Sequence, residues 1–194
     1  MALHDGIIDL QQNFKEVIAG KHNHRSGSFF TGPIMYCWAK QLGARQILEI
    51  GIGAGSAGYW LGHAAKEMGG KYHGIELNKN RVLNLTSLMD QFEIPNQIWC
   101  SSSLNIDKEF IETNIGNIDI AYLDGDHTLE AIKHEINTVW PFVKTGGYGY
   151  VFVHDIYTAS IDGWAYVRDV FAKEVNADIM EIKAQSGMGI VRKI

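Results

Sequence analysis

A chain of 194 residues with 17 lysines plus arginines against 22 aspartates plus glutamates carries a net charge of −5, and it is 46% hydrophobic and 11% aromatic. At ~150 residues per domain this is one folded unit that buries roughly 70% of its extended surface, so a disordered chain is excluded. The mild acidity and the lack of a long basic run argue against a nucleic-acid partner, whose binding rests on phosphate neutralisation. Cys37 and Cys100 are the only cysteines; they are too few and too far apart for a disulfide framework or a paired zinc site. No apolar run reaches the ~20 residues of a membrane span. The opening MALHDGIIDLQQNF lacks the basic flank of a secretory signal. A cytoplasmic protein with no membrane partner is the expectation.

Residues 5–19 put Ile8, Phe14, Val17 and Ile18 on or near one side of a helix. Gly20–Gly32 is polar and glycine-bounded and reads as a loop. Pro33 suits the first turn of a helix reaching about Leu42. This segment, 1–43, is set apart from a core spanning 44–194. From Gln46 onward short apolar runs alternate with helical patterns. Strands are expected at 46–50, 72–76, 97–101, 118–124 and 147–153, and helices at about 56–68, 78–92, 104–114, 127–143 and 162–174. In the helix at 127–143, Leu129, Ile132, Ile136, Val139 and Val143 form the buried stripe. His127, Glu130 and His134 fall outside that stripe, and His134 reads as solvated. DIMEIK (178–183) and GIVRKI (189–194) leave no room for a helix between them and read as a closing antiparallel hairpin. The fold class is therefore α/β: a Rossmann-like, doubly wound, seven-stranded sheet, mostly parallel, with helices on both faces and further helices at the N-terminus.

The segment Glu49-Ile-Gly51-Ile-Gly53-Ala-Gly55-Ser56 closes the first strand and opens a helix, with Ser56 placed as its cap. Ser56 stands where a dinucleotide fingerprint needs its third glycine, and no G-K-[S/T] follows. An acid at Glu49 is wrong beside a pyrophosphate but suits a cationic amine. Glu76 ends the second strand 25 residues after Gly51, where an acid holds ribose hydroxyls. The plainer reading of Glu76 is a carboxylate favoured by the dipole at a helix start.

These residues resemble the class I S-adenosylmethionine-dependent methyltransferases. The likeness covers ILEIGIGAGSAGYWLG, GIELNKNR, the DGDH segment and the terminal hairpin, about 150 residues from roughly Ala44. It implies that Glu49, Gly51, Gly53 and Gly55 hold the methionine part of S-adenosylmethionine and that Glu76 holds its ribose. After the third strand, where such proteins often place an acid for the adenine amine, this chain has Cys100-Ser101-Ser102-Ser103. Ser102 or Ser103 accepts that bond, or Ser103 simply caps the next helix.

The fourth strand runs into Asp124-Gly-Asp126-His127 and the fifth into His154-Asp155. Neighbouring strand ends of a parallel sheet lie ~5 Å apart, so Asp124, His154 and Asp155 converge, a donor set acceptable to a divalent metal. Alternatively, Asp126 caps a helix, Asp124 bonds its own turn and His154 is a core histidine. The pattern is similar to metal-dependent O-methyltransferases acting on catechols and sugar hydroxyls, above all the branch that writes D-G-D-H. It implies a metal on Asp124, His154 and Asp155, with His127 as the catalytic base beside Asp124. His154 stands where an acid is usual. It shifts preference from Mg²⁺ toward Mn²⁺, Fe²⁺ or Zn²⁺, or leaves no metal bound. His22, His24, His63 and His73 take no role.

The expected reaction is metal-assisted O-methylation of a small hydroxylated molecule or saccharide. A metal-independent O- or N-methyltransferase and a non-catalytic S-adenosylmethionine-binding module are the alternatives; Ser56 and Glu49 disfavour a nicotinamide dehydrogenase. No (D/N)PPY sequence or Pro-Cys dipeptide is present, so DNA is not the expected acceptor. The acceptor pocket takes its walls from the N-terminal segment, the loop after Asp155 or a partner subunit, which leaves a homodimer open. Ser28, Phe29, Phe30 and Trp164 either line it or pack as ordinary core.

Overall fold

The computed structural model describes residues 10–14 and 28–194, the latter with side chains from Thr31 onward. The expectations placed on Ile8, Val17, Ile18, His22 and His24, and on the side chains of Ser28, Phe29 and Phe30, lie outside the described residues. Residues 10–14 are helical, and Leu10 and Phe14 are buried against the rest of the protein.

Helix α1 (Ser28–Leu42) begins inside the stretch read as loop and carries Pro33 within it rather than at its first turn. Strand β1 (Gln46–Ile50) leads to α2 (Ser56–Glu67), β2 (Lys71–Glu76) to α3 (Lys79–Gln91), and β3 (Asn96–Cys100) through a single 3₁₀ turn to α4 (Lys108–Asn114). Strand β4 (Ile120–Leu123) leads to α5 (Leu129–Val139) and β5 (Gly149–His154) to α6 (Ile161–Tyr166). The expected continuous helix over 162–174 is interrupted: α6 passes through a π segment, Val167–Phe171, into a last turn at Ala172–Glu174. Strands β6 (Asp178–Ile182) and β7 (Met188–Lys193) close the chain.

The seven strands lie in the order β3-β2-β1-β4-β5-β7-β6. The pairs among β1 to β5 are parallel, and β7 runs antiparallel between β5 and β6, as the hairpin reading requires. Period-two alternation divides the core into two layers. Ile47, Tyr72, Ile120, Tyr122, Tyr150 and Phe152 face α1, α2 and α3. Leu48, Ile50, Ile75, Ala121, Leu123, Val151 and Val153 face α4, α5 and α6. The chain leaves β1 toward β2 and β3 on one side, then resumes at β4 on the other. Between the carboxyl ends of β1 and β4 lies the switch point at which doubly wound sheets bind ligands.

Candidate active site

The glycine loop is shaped by that switch point. Gly51 adopts φ 86°, and a Cβ there would lie 2.2 Å from the Asp124 carbonyl oxygen. Only glycine lets β1 and β4 approach this closely, and the Asp124 N–H donates to the Ile50 carbonyl at 2.8 Å. Gly55, at φ 82°, occupies the cap position of α2 and no side chain caps the helix. Ser56, expected as the cap, is instead the buried first helical residue.

Glu76 is buried at the end of β2. Its Oε2 accepts from the Gly53 N–H at 3.1 Å and its Oε1 from the Asn78 N–H at 2.8 Å. The acid thus pins the glycine loop while facing a cleft of about 400 Å³ lined by Gly51, Gly53, Glu76, Ser101–Ser103 and Asp124–Asp126. Ser102 accepts from the Leu104 N–H at 3.3 Å at the head of the 3₁₀ turn, and Asp107, not Ser103, caps α4.

Glu49 is placed differently from its sequence expectation. It shares a strand face with Ile47, so its carboxyl points under α2, takes the Tyr72 hydroxyl and is 1% exposed. Burial pushes its pKa well above the ordinary carboxylate range. It lies against Gly58 of α2 and does not line the cleft.

Beside the cleft, Asp124, His154 and Asp155 come together, each offering a ligand atom within 4.8 Å of the others. His154 Nδ1 lies 2.8 Å from Asp124 Oδ1 and 3.1 Å from Asp155 Oδ1. Burial pulls the His154 pKa down, but the Asp124 hydrogen bond and the two carboxylate charges outweigh it and raise it. The Tyr122 hydroxyl donates to Asp124 Oδ2 at 3.3 Å. Asp155 itself sits at φ 57°, a left-handed conformation that costs a non-glycine residue of order 1 kcal/mol or more and persists where surrounding contacts impose it. Here its carbonyl accepts from the N–H groups of Thr158 and Ser160, both at 3.0 Å.

His127 is not on α5. Asp126 accepts from the Thr128 N–H at 3.0 Å and Thr128 from the Ala131 N–H at 3.3 Å, so the helix begins at Leu129 and His127 stays in the loop. Its Nε2 faces the cluster, 3.6 Å from Asp155 Oδ2 and 3.9 Å from Asp124 Oδ1. Its Nδ1 lies 2.8 Å from the hydroxyl of buried Ser160. Sequence reasoning missed Ser160, since no local pattern ties it to a histidine 33 residues away.

Two other expectations change, and for Trp164 the core reading holds. His134 is half-buried and bonds the Ile106 carbonyl at 2.8 Å rather than standing in solvent. Leu129 is 38% exposed and leaves the stripe. Trp164 is core: its ring is 2% exposed and its Nε1–H donates to Glu181 at 2.7 Å.

Glu135 takes a stripe position of α5 beside Ile132, Ile136 and Val139, an acid where the period demands an apolar residue, and that mismatch is the signal that could have found it. It is 1% exposed, and neither carboxyl oxygen has a hydrogen-bond partner. Burial raises its pKa to about 8. The unfolded chain ionises near 4.5, so between 4.5 and about 8 the unfolded state holds fewer protons and stability falls as pH rises. At ~1.4 kcal/mol per pH unit the loss has an upper value of roughly 5 kcal/mol. Glu135→Leu is therefore expected to melt near the wild-type temperature at pH 4.5 and above it at pH 8, the gap widening with pH in thermal denaturation. A gap independent of pH would contradict the ionisation.

The chain belongs to the family of the methyltransferase domain, whose model matches residues 48–156, more than half of the chain. No match is found among curated proteins. Solved structures share the fold. The O-methyltransferase TomG from Streptomyces achromogenes, involved in tomaymycin synthesis and solved with SAM, aligns with TM-score 0.75 at 16% identity over 96% of this chain and 88% of that one. An O-methyltransferase from Bacillus cereus in complex with SAH aligns with TM-score 0.70 at 15% identity over 97% and 90%. The SAH-bound methyltransferase PaMTH1 from Podospora anserina aligns with TM-score 0.69 at 13% identity over 98% and 88%. Among the described residues no helix is long and apolar enough to cross a membrane.

Proposed function

We propose that the protein transfers a methyl group from S-adenosylmethionine to a hydroxyl of a small molecule or saccharide, assisted by a divalent cation. The observation that carries the reading is the convergence of Asp124, His154 and Asp155 beside a cleft that already contains Glu76 and the glycine loop. Glu76 has lone pairs left for the ribose hydroxyls. The Gly51–Gly55 turn gives the methionine arm a close backbone approach.

The donor set fits a cation. Atoms that ligate one ion at ~2.1 Å sit about 3 Å apart when adjacent, and the 2.8 Å and 3.1 Å separations around His154 Nδ1 meet that condition. The imidazole favours Mn²⁺, Fe²⁺ or Zn²⁺ over Mg²⁺. A bound ion supplies the Lewis acidity that eases deprotonation of an acceptor hydroxyl. His127 takes the proton at Nε2, with Nδ1–H donated to Ser160 so that the lone pair faces the cluster. The remaining work is alignment for in-line displacement at a sulfonium that is already activated.

A second reading, methyl transfer without metal, is favoured by the direct His154–Asp124 hydrogen bond, in which an imidazolium would offset one of the two carboxylate charges. One experiment separates them. Calorimetry should give micromolar binding of S-adenosylhomocysteine. Turnover on a panel of catechols and sugars should vanish in EDTA and return with Mn²⁺. Absence of S-adenosylhomocysteine binding overturns the reading, and turnover indifferent to chelator selects the metal-free form.

A further inference from the structure

The segment between β5 and α6 carries two groups of the site, Asp155 at its start and Ser160 at its end, on backbone that belongs to no strand or helix. The closing hairpin holds it. The Tyr157 N–H donates to the Ser186 carbonyl at 2.9 Å and the Tyr157 hydroxyl to Glu181 Oε2 at 2.7 Å. The other oxygen of Glu181 takes the Trp164 Nε1–H at 2.7 Å. One carboxylate on β6 therefore grips the chain on both sides of Ser160. The hairpin is cleared for these two rings. A Cβ on Gly187 would stand 2.4 Å from the Tyr157 ring, and one on Gly189, the strand partner of Glu181, 2.4 Å from the Trp164 ring. Trp164 is core, but Tyr157 is 39% exposed and adds little to it. What the two bonds of Tyr157 fix is the course of the chain from left-handed Asp155 to Ser160.

We propose that Glu181 is a positioning residue for the cation ligand and for the base, acting through Tyr157 on both at once. With the Tyr157 hydroxyl held, Asp155 keeps φ 57° and turns its carboxylate toward His154 and His127, and the Ser160 hydroxyl stays 2.8 Å from His127 Nδ1. Without that bond the segment is loose at its middle, and the carboxylate and the imidazole lose their alignment together. A hydrogen bond to a carboxylate is roughly twice as strong as a neutral one, which suits a tie that must keep a left-handed residue in place. The proposal rests on the reading of Asp124, His154 and Asp155 as a cation site and of His127 as the base.

The test compares wild type, Tyr157→Phe, Glu181→Ala and Glu181→Gln by calorimetry of Mn²⁺ alone, calorimetry of S-adenosylhomocysteine, and the nitrogen NMR shifts of the neutral His127 ring, which report the nitrogen that carries the hydrogen. Wild type should carry it on Nδ1. Tyr157→Phe and Glu181→Ala should weaken Mn²⁺ binding by roughly 10-fold, the low end of what outer partners of metal ligands contribute, and turn His127 into a mixture of tautomers. Their S-adenosylhomocysteine affinity should stay within a few-fold of wild type. Glu181→Gln, whose amide can accept from Trp164 and still bond Tyr157, should lie close to wild type in all three. A merely structural role would lower the melting temperature and leave Mn²⁺ affinity and the His127 ring of the folded variants unchanged; that outcome overturns the proposal. Equal weakening of both ligands overturns it as well, because the cleft is lined by other segments. Absence of Mn²⁺ binding in wild type overturns the cation half, and the His127 shifts then decide the base half. Absence of S-adenosylhomocysteine binding overturns the methyltransferase reading instead and leaves the tautomer comparison standing.

Discussion

Asp124→Asn should slow methyl transfer by roughly two to four orders of magnitude while S-adenosylhomocysteine affinity stays within a few-fold. Asp124 is the residue at which the cleft and the cluster meet: it lines the cleft, holds His154 through Oδ1 at 2.8 Å and takes the Tyr122 hydroxyl on Oδ2. Asparagine keeps its shape and one acceptor oxygen but removes the charge that would hold a cation and favour a protonated His127. His127→Ala should show a comparable loss. The double variant should be little worse than either single one, because groups acting on one proton transfer fail together. Single-turnover rates measured alongside calorimetric affinities give the comparison. Wild-type turnover in Asp124→Asn would remove the acid from the chemistry, and fully additive losses would separate it from His127.

Gly51→Ala is expected to be the most destructive single-methyl change in the glycine loop. The new Cβ would stand 2.2 Å from the Asp124 carbonyl oxygen and 2.4 Å from the Gly125 Cα, both backbone atoms that no rotamer change can move aside. The left-handed φ adds ~1–2 kcal/mol to an overpacking cost of ~1–3 kcal/mol. At ~2–4 °C per kcal/mol for a chain of this size, melting should fall by roughly 5–15 °C, and the cleft should lose its ligand as β1 and β4 are pushed apart. Gly53→Ala is the internal control. Gly53 is also left-handed, at φ 55°, but a Cβ there meets nothing within 4 Å, so only the conformational cost remains. Equal melting shifts in the two variants would show that the contact with β4 is not what demands glycine.

The sheet was legible because each strand is a short apolar run ended by glycine or acid, and because five residues between the last two strands admit only a hairpin. The convergence of Asp124, His154 and Asp155 was legible for the same reason: parallel neighbours bring their carboxyl ends side by side. The site's finer details were less accessible. Glu49 looks like a ligand residue beside the glycines, yet strand alternation sends it to the face of Ile47, beneath α2. His127 looked helical until the two short side chains flanking it, Asp126 and Thr128, each captured a backbone N–H and delayed the helix by two residues. Glu135 stood in plain view on the apolar stripe, but a stripe is read for its apolar members. Ser160 reaches His127 only through the tertiary fold.

The strand order also governs how the site comes into being. Residues 46–100 supply β1, β2 and β3, residues 120–193 supply β4 to β7, and a single strand pairing, Ile47↔Ile120 through Ile50↔Leu123, joins the two halves. Glu76 and the glycines belong to the first half, and Asp124, His127, His154 and Asp155 to the second. The cleft is lined from both halves, so on the proposed reading a nucleoside seated between them would act as a rivet across the seam. It would resist any partial opening that parts the halves, and by mass action would contribute ~2.7 kcal/mol when present at a hundred times its dissociation constant.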